Sequence, residues 1–79
     1  MKKFIVQENH LYIKLSFANF VEAFAFLSKI AIITEKANHH ATIHNTYNTV
    51  ELFLSTHDAG NTITEKDWAL AKEIEILLE

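Results

Sequence analysis

The sequence predicts an α+β fold, a two-layer sandwich of order β-β-α-β-β-α, in which an antiparallel sheet carries both helices on one face. Apolar and polar residues alternate in two segments, which is the pattern of half-buried strands. Two other segments begin with helix-capping residues and carry apolar side chains at helical spacing. Because the apolar stripes of both helices need a surface to cover, one sheet shared by the two helices satisfies both patterns.

Two segments carry the strand pattern most clearly, residues 10–17 and residues 47–57. Their apolar rows are Leu11, Ile13 and Leu15 in the first segment and Val50, Leu52 and Leu54 in the second. Residues 4–6 predict a hairpin partner for the first strand, and residues 42–44 predict a short additional strand. If the second long strand runs straight to its end, His57 shares the side of Tyr47 and Glu51, away from the aliphatic row.

Capping residues mark the starts of two helices. Asn19 predicts a helix over residues 20–36, and Thr64 with Asp67 predicts a second helix that continues to the C-terminus. The turn at residues 58–61, which contains the only glycine, precedes the second helix. The first helix is apolar around much of its circumference, which predicts two covering surfaces, its own sheet and a neighbouring subunit. The alternative is that a small domain simply wraps it.

Composition limits the possible classes of function. The chain has 79 residues, a formal charge of −3 and no cysteine. This length predicts a single domain over residues 1–79. A core this small needs further stabilisation, and without disulfides we expect a homodimer or homotetramer, formed by sheet edges that join across a two-fold axis. Because no Lys and Arg residues cluster, we expect no direct nucleic-acid partner. No segment resembles a secretion signal or a membrane span, which predicts a cytoplasmic protein without a membrane partner.

Histidines are the most informative side chains of this sequence. His39 and His40 follow the predicted end of the first helix, where they can converge with a residue that leaves a neighbouring strand, such as His57. Imidazole, with an unperturbed pKa of about 6.5, both accepts and releases protons at neutral pH. A cluster of this kind suits a reaction that removes one proton and donates another. His10 and His44 lie outside the cluster and receive no functional role.

Spacing alone leaves three interpretations of the cluster open. A zinc site is disfavoured, because the His-x-x-x-His spacing of a helical zinc motif is absent and adjacent histidines rarely converge on one ion. Solvated loop residues are the second interpretation, since histidine is common at exposed helix ends. Acid/base catalysis is the third.

The stretch from residue 35 to residue 67 resembles the pterin-4a-carbinolamine dehydratases, a family also known as a dimerisation cofactor of a homeodomain transcription factor. The residues that match the family's motif in register are Glu35, His39, His40, Tyr47, His57 and Asp67. Residues 20–27, 50–60 and 64–75 are also similar to the family's helix, its histidine-bearing strand and turn, and its last helix. The similarity covers nearly the whole chain.

This resemblance implies a 4a-hydroxytetrahydropterin dehydratase, which eliminates water to give quinonoid dihydropterin by histidine acid/base catalysis, with no metal and no other cofactor. It implies that His39, His40 and His57 are catalytic, and we expect Tyr47 and Asp58 to contact the pterin substrate. Members of the family usually begin with a further helix, which we expect this domain to lack.

The sequence departs from the family pattern directly after the histidine pair. Ala41 stands where the family has proline, and alanine relaxes the restriction to extended backbone that proline places on His40. Thr42 and Ile43 stand where an acidic or polar residue and an aromatic residue are usual. These changes favour an alternative function, a non-catalytic dimerising or protein-interaction module on the same fold, whereas the retained histidines favour the enzyme.

Overall fold

The computed structural model describes residues 2–78. The elements are β1 (Ile5–Gln7), β2 (His10–Ser16), α1 (Phe20–Ala37), β3 (Thr42–Thr46), β4 (Thr49–Leu54) and α2 (Glu65–Leu77). A short 3₁₀ turn, His57–Ala59, connects β4 to α2. The predicted order of strands and helices is confirmed.

The four strands form one antiparallel sheet in the order β1-β2-β4-β3. Both aliphatic rows predicted from the sequence are buried on the same face, because Ile13 of β2 lies opposite Leu52 of β4. Both edge strands, β1 and β3, are largely exposed. The sheet therefore has one face covered by protein and two open edges.

Both helices pack on the aliphatic face of the sheet. The residues that they contribute to the core are Ala23, Phe26, Leu27 and Ile30 from α1 and Leu70, Ala71 and Ile74 from α2. The opposite face is semi-polar, and there the Tyr12 hydroxyl donates a hydrogen bond of 2.5 Å to Oε2 of Glu51. The predicted two-layer α+β sandwich with helices on one face is confirmed. Neither helix within residues 2–78 is long and apolar enough to cross a membrane.

The exposed side of α1 retains large apolar side chains. Val21 is 75% exposed, Phe24 54% and Ile32 70%. At 3.6 residues per turn these positions share one stripe, which lies opposite the buried stripe through Ile30. The alternative prediction that the domain itself wraps this helix is wrong, because the sheet and α2 cover only one side of it.

The predicted course of the chain between residues 47 and 57 is wrong at both ends. Tyr47 has a left-handed backbone (φ 51°) in the turn that precedes β4, so it is not a strand residue. At the other end β4 stops at Leu54, and Thr56 pairs with Thr62 instead of continuing along β2. His57 therefore begins the 3₁₀ turn and does not share a strand face with Glu51.

The start of α1 provides a test of the fold. Asn19 has an extended backbone, and its Oδ1 accepts a 2.9 Å hydrogen bond from the backbone N–H of Glu22. We expect Asn19→Ala to lower the free energy of unfolding by about 0.5–2 kcal/mol, because it leaves this amide without its partner. Ser28→Ala, on the exposed side of the same helix, is the control, and we expect it to change the stability by less than about 0.5 kcal/mol. Equal urea midpoints for the two variants would contradict the capping role.

Candidate active site

Three segments of the chain meet at a cleft at one end of the sandwich. They are the residues that follow α1, the turn that follows β4, and the first turn of α2. The cleft has a volume of about 320 Å³ and is lined by Asn38, His39, His40, Ser55, Thr56, His57, Asp58 and Lys66. The structure thus brings together the three histidines proposed from the sequence, with Asp58 beside them. This volume lies within the range of roughly 300–1,000 Å³ that is usual for ligand pockets.

The C-terminus of α1 fixes the backbone of His39. Asn38 has left-handed dihedral angles (φ 53°, ψ 41°), which asparagine tolerates better than most residues. Its N–H donates to the carbonyl of Glu35, and the N–H of His39 donates to the carbonyl of Thr34. These two hydrogen bonds form a Schellman motif, which ends the helix and turns the chain sharply. His39 consequently has a defined position directly after the helix.

His39 is held by a buried carboxylate. Nε2 of His39 lies 2.6 Å from Oδ1 of Asp67, and the two side chains are 13% and 0% exposed. The other carboxylate oxygen, Oδ2, accepts hydrogen bonds from the Thr56 hydroxyl at 2.8 Å and from the backbone N–H of Thr64 at 2.9 Å. The latter bond belongs to the capping box of α2 that the sequence predicted. Asp67 therefore caps one helix and binds a histidine that follows the other.

The surroundings of Asp67 keep it ionised. Burial raises its pKa, but the hydrogen bonds from His39, from the backbone of Thr64 and from the Thr56 hydroxyl outweigh burial, so the pKa of Asp67 lies below its ordinary value. Since an ionised carboxylate only accepts hydrogen bonds, Nε2 of His39 carries the proton that faces Asp67. In neutral His39 the other ring nitrogen, Nδ1, is then the unprotonated one and is available as a base.

His40 and His57 are held more loosely than His39. Nε2 of His40 lies 2.9 Å from Oε1 of Glu35, and both side chains are exposed to solvent. Nδ1 of His57 lies 3.2 Å from Oδ1 of Asn61, also at the surface. Asn61 follows Gly60, and both have left-handed backbones that close the turn tightly (φ 58° and 80°). Two of the three imidazoles can therefore exchange protons directly with water.

Tyr47 and Asp58 were both predicted to contact the substrate, and the structure places them differently. Asp58 lines the cleft. Tyr47 lies in the turn between β3 and β4, is 63% exposed, and is not among the residues that line the cleft. Contact with substrate stays a prediction for both residues.

Four contributions to the cleft were missed from the sequence. The residues that line it without having been singled out are Asn38, Ser55, Thr56 and Lys66. Lys66 also borders a neighbouring cavity of about 370 Å³ between the end of α1 and the first turns of α2. Asp67 was visible as a capping residue and as part of the family's motif, but its bond to His39 was not foreseen. Within residues 2–78, no group of three or more metal-ligating side chains is placed to hold an ion.

The fold and the cleft define a class of protein, the small α+β domains with a four-stranded antiparallel sheet and paired histidines after the first long helix. The sequence model of the family described as pterin 4 alpha carbinolamine dehydratase matches residues 3–77. The chain belongs to this family, as the resemblance in its motif predicted.

Individual relatives agree with this assignment. A protein of Prochlorococcus marinus subsp. pastoris is 47% identical over 74 residues, which cover 94% of this chain and 76% of that protein. Its name assigns it provisionally as a pterin-4-alpha-carbinolamine dehydratase. The crystal structure of a transcriptional coactivator/pterin dehydratase from Brucella melitensis is similar with a TM-score of 0.80 and 32% identity, covering 90% of this chain and 76% of that one.

A second solved structure shares the fold alone. It is a pterin dehydratase-like protein identified as a RuBisCO assembly factor in the alpha-carboxysome, with a TM-score of 0.75 and 19% identity, and the match covers 96% of this chain and 87% of that one. One fold thus carries more than one function, so function has to be argued from the cleft.

The depressed pKa of Asp67 predicts how stability depends on pH. An unfolded aspartate has a pKa of about 3.9, and the folded value is lower, so the stabilisation is complete above about pH 5 and is lost as the pH falls through the folded pKa. We expect Asp67→Asn to lower the free energy of unfolding at pH 7 by about 1–3 kcal/mol, because an amide NH₂ then faces a donor. Its stability should also fall less steeply with acid than that of the wild type.

Asp58→Asn is the matched control, because Asp58 lines the same cleft but is exposed. Urea unfolding at pH 7, 4 and 3 measures both effects. Parallel acid profiles for the wild type and Asp67→Asn would contradict the assigned hydrogen-bond network.

Proposed function

We propose that this protein is a 4a-hydroxytetrahydropterin dehydratase, which eliminates water from its substrate to give quinonoid dihydropterin. One observation carries the proposal: His39, His40 and His57 line one cleft, and His39 is bonded there to a buried ionised carboxylate. Membership of the dehydratase family supports the same substrate class. A cytoplasmic location and a reaction without a metal or other cofactor are parts of the same proposal.

The reaction needs one base and one acid. The base removes the proton from N5 of the pterin, the nitrogen lone pair forms a double bond to C4a, and the bond from C4a to the hydroxyl breaks. The acid protonates the departing hydroxyl, which leaves as water. Neutral and protonated imidazoles supply both groups near neutral pH.

His39 suits the role of the base. Asp67 holds the proton of His39 on Nε2, so Nδ1 has a free lone pair, and the imidazolium that forms when Nδ1 accepts a proton lies next to a negative charge. His57 suits the role of the acid. The side chain of Asn61 contacts only Nδ1 of His57. Because His57 is exposed to water, it can recover a proton after each turnover. His40, paired with the exposed carboxylate of Glu35, is the second candidate for the acid.

Variants of the histidines test the proposal. Acid/base assistance contributes roughly 10²–10⁴ in rate, so we expect His39→Ala and His57→Ala each to lower kcat by about this factor. His44→Ala is the control, because His44 lies on the open face of the sheet against Phe53, and we expect it to have the kcat of the wild type. The assay follows dehydration of 4a-hydroxytetrahydropterin by absorbance.

The uncatalysed loss of water in buffer sets the baseline of this assay. Wild-type turnover at that baseline would refute the enzyme and favour a non-catalytic module. Full activity of both His39→Ala and His57→Ala would refute the assignment of the catalytic groups.

We also propose that the chain self-associates. The exposed apolar stripe of α1, through Val21, Phe24 and Ile32, supports this, because a monomer leaves it in water. The open edges of the sheet are a second surface on which two copies can pair. Self-association is compatible with catalysis and with a non-catalytic interaction module.

Light scattering coupled to size exclusion tests self-association. We expect the wild type to have about two or four times the mass of the 9.1 kDa chain. Phe24→Glu should reduce the mass, because it places a charge in the apolar stripe, whereas Lys72→Glu on exposed α2 should not. A monomeric wild type at micromolar concentration would contradict the proposal, and an unchanged mass of Phe24→Glu would exclude the α1 stripe as the contact.

A further inference from the structure

Thr56 lies between the end of β4 and His57, and the residue is buried, with 7% of its surface exposed. We infer that the Thr56 hydroxyl is a positioning residue for catalysis, which fixes His39 through Asp67 and holds the turn of His57 at the same time. The expected loss of kcat rests on the proposed dehydratase function. The expected effect on the orientation of His39 does not.

The hydroxyl of Thr56 has a fixed direction of donation. It lies 2.8 Å from Oδ2 of Asp67 and 2.6 Å from the hydroxyl of Thr64. The ionised carboxylate only accepts, so the single proton of Thr56 goes to Asp67, and Thr64 donates to Thr56. The oxygen of Thr64 in turn accepts from the backbone N–H of Lys66 at 3.3 Å.

These bonds form a one-way chain that ends on the support of a catalytic group, His39. It begins at the backbone of Lys66, passes through the hydroxyls of Thr64 and Thr56, and ends on the carboxylate that binds His39. The hydrogen bonds within such a chain polarise one another, so each donor strengthens the next bond. The Thr56 bond therefore fixes the rotation of the Asp67 carboxylate, and with it the orientation of the His39 ring.

The backbone of Thr56 organises the other side of the cleft. Its N–H donates to the carbonyl of Thr62 at 2.8 Å, and its carbonyl accepts from the N–H groups of Ala59 and Asn61 at 3.2 and 3.0 Å. These bonds close the turn that carries His57 and Asn61. One residue is thus tied through its side chain to the support of His39 and through its main chain to the turn of His57.

Three variants separate the hydroxyl from the shape of the side chain. Thr56→Val keeps the shape and removes the donor, Thr56→Ser keeps the donor, and Thr62→Val is the control on the exposed partner of the same bridge. We expect Thr56→Val to lower kcat on the order of 10–100-fold with little change in KM, since displacing a catalytic group by about 1 Å has effects of this size. Thr56→Ser should recover kcat to within a few-fold, and Thr62→Val should match the wild type.

The loss of the Thr56 donor also changes the pKa of Asp67 in a definite direction. Without the Thr56 hydroxyl the carboxylate is less stabilised, so the pKa of Asp67 rises and the stabilisation from its ionised form is lost at a higher pH as acid is added. Unchanged kcat and an unchanged dependence of stability on acid pH in a folded Thr56→Val protein would overturn the inference.

Nitrogen NMR of the histidine rings tests the inference without any substrate. In the wild type, neutral His39 should carry its proton on Nε2, and in Thr56→Val its two tautomers should mix. If the wild type does not outpace buffer, the proposed function fails, while the tautomer of His39 still decides the role of Thr56. If Thr56→Val does not fold, the wild type decides: a slowly exchanging hydroxyl proton on Thr56 is expected, and its absence at low temperature overturns the inference.

Discussion

The structure of the cleft depends on one buried negative charge, the carboxylate of Asp67. A buried carboxylate is costly unless hydrogen bonds replace the water that it loses. Here the replacements come from the imidazole of His39, the hydroxyl of Thr56 and the backbone of Thr64. Since these donors belong to three different segments, the charge is satisfied only when the end of α1, the turn after β4 and the start of α2 are all in place. The same interaction therefore completes the fold locally and assembles the candidate active site.

Hydrophobic packing and the polar network act at different scales. The aliphatic rows of β2 and β4 and the buried stripes of both helices decide which ends of the elements come together. Burial of apolar area is non-directional, so it cannot fix which ring nitrogen of a histidine faces a cleft. The directional hydrogen bonds of Asp67 supply that information within a few ångströms. In this domain hydrophobic packing brings the segments of the site together, and the hydrogen bonds of Asp67 decide which ring nitrogen of His39 faces the carboxylate.

The sequence predicted what depends on local pattern and missed what depends on pairing across the fold. The cap at Asn19 and the alternation in β2 follow from neighbours in the chain, and both were found. The end of β4 at Leu54 was missed, because the Thr56–Thr62 bridge that ends it does not change the alternation of apolar and polar residues in the sequence. The bond from Asp67 to His39 was missed for a related reason: an aspartate at the third position of a helix looks the same whether it only caps the helix or also binds a distant imidazole.

The departures from the family's motif fall outside the residues that line the cleft, directly after His40. Thr42 and Ile43 belong to β3 and are not among the residues that line the cleft. Ala41 relaxes the backbone of His40, whose only side-chain hydrogen bond among the described residues is an exposed one to Glu35. His39 is fixed independently, by the helix-ending hydrogen bonds before it and by Asp67 beside it. The substitutions therefore reduce the constraint on His40 and leave the histidine backed by the buried carboxylate intact, which favours retained catalysis over a drifted, non-catalytic scaffold.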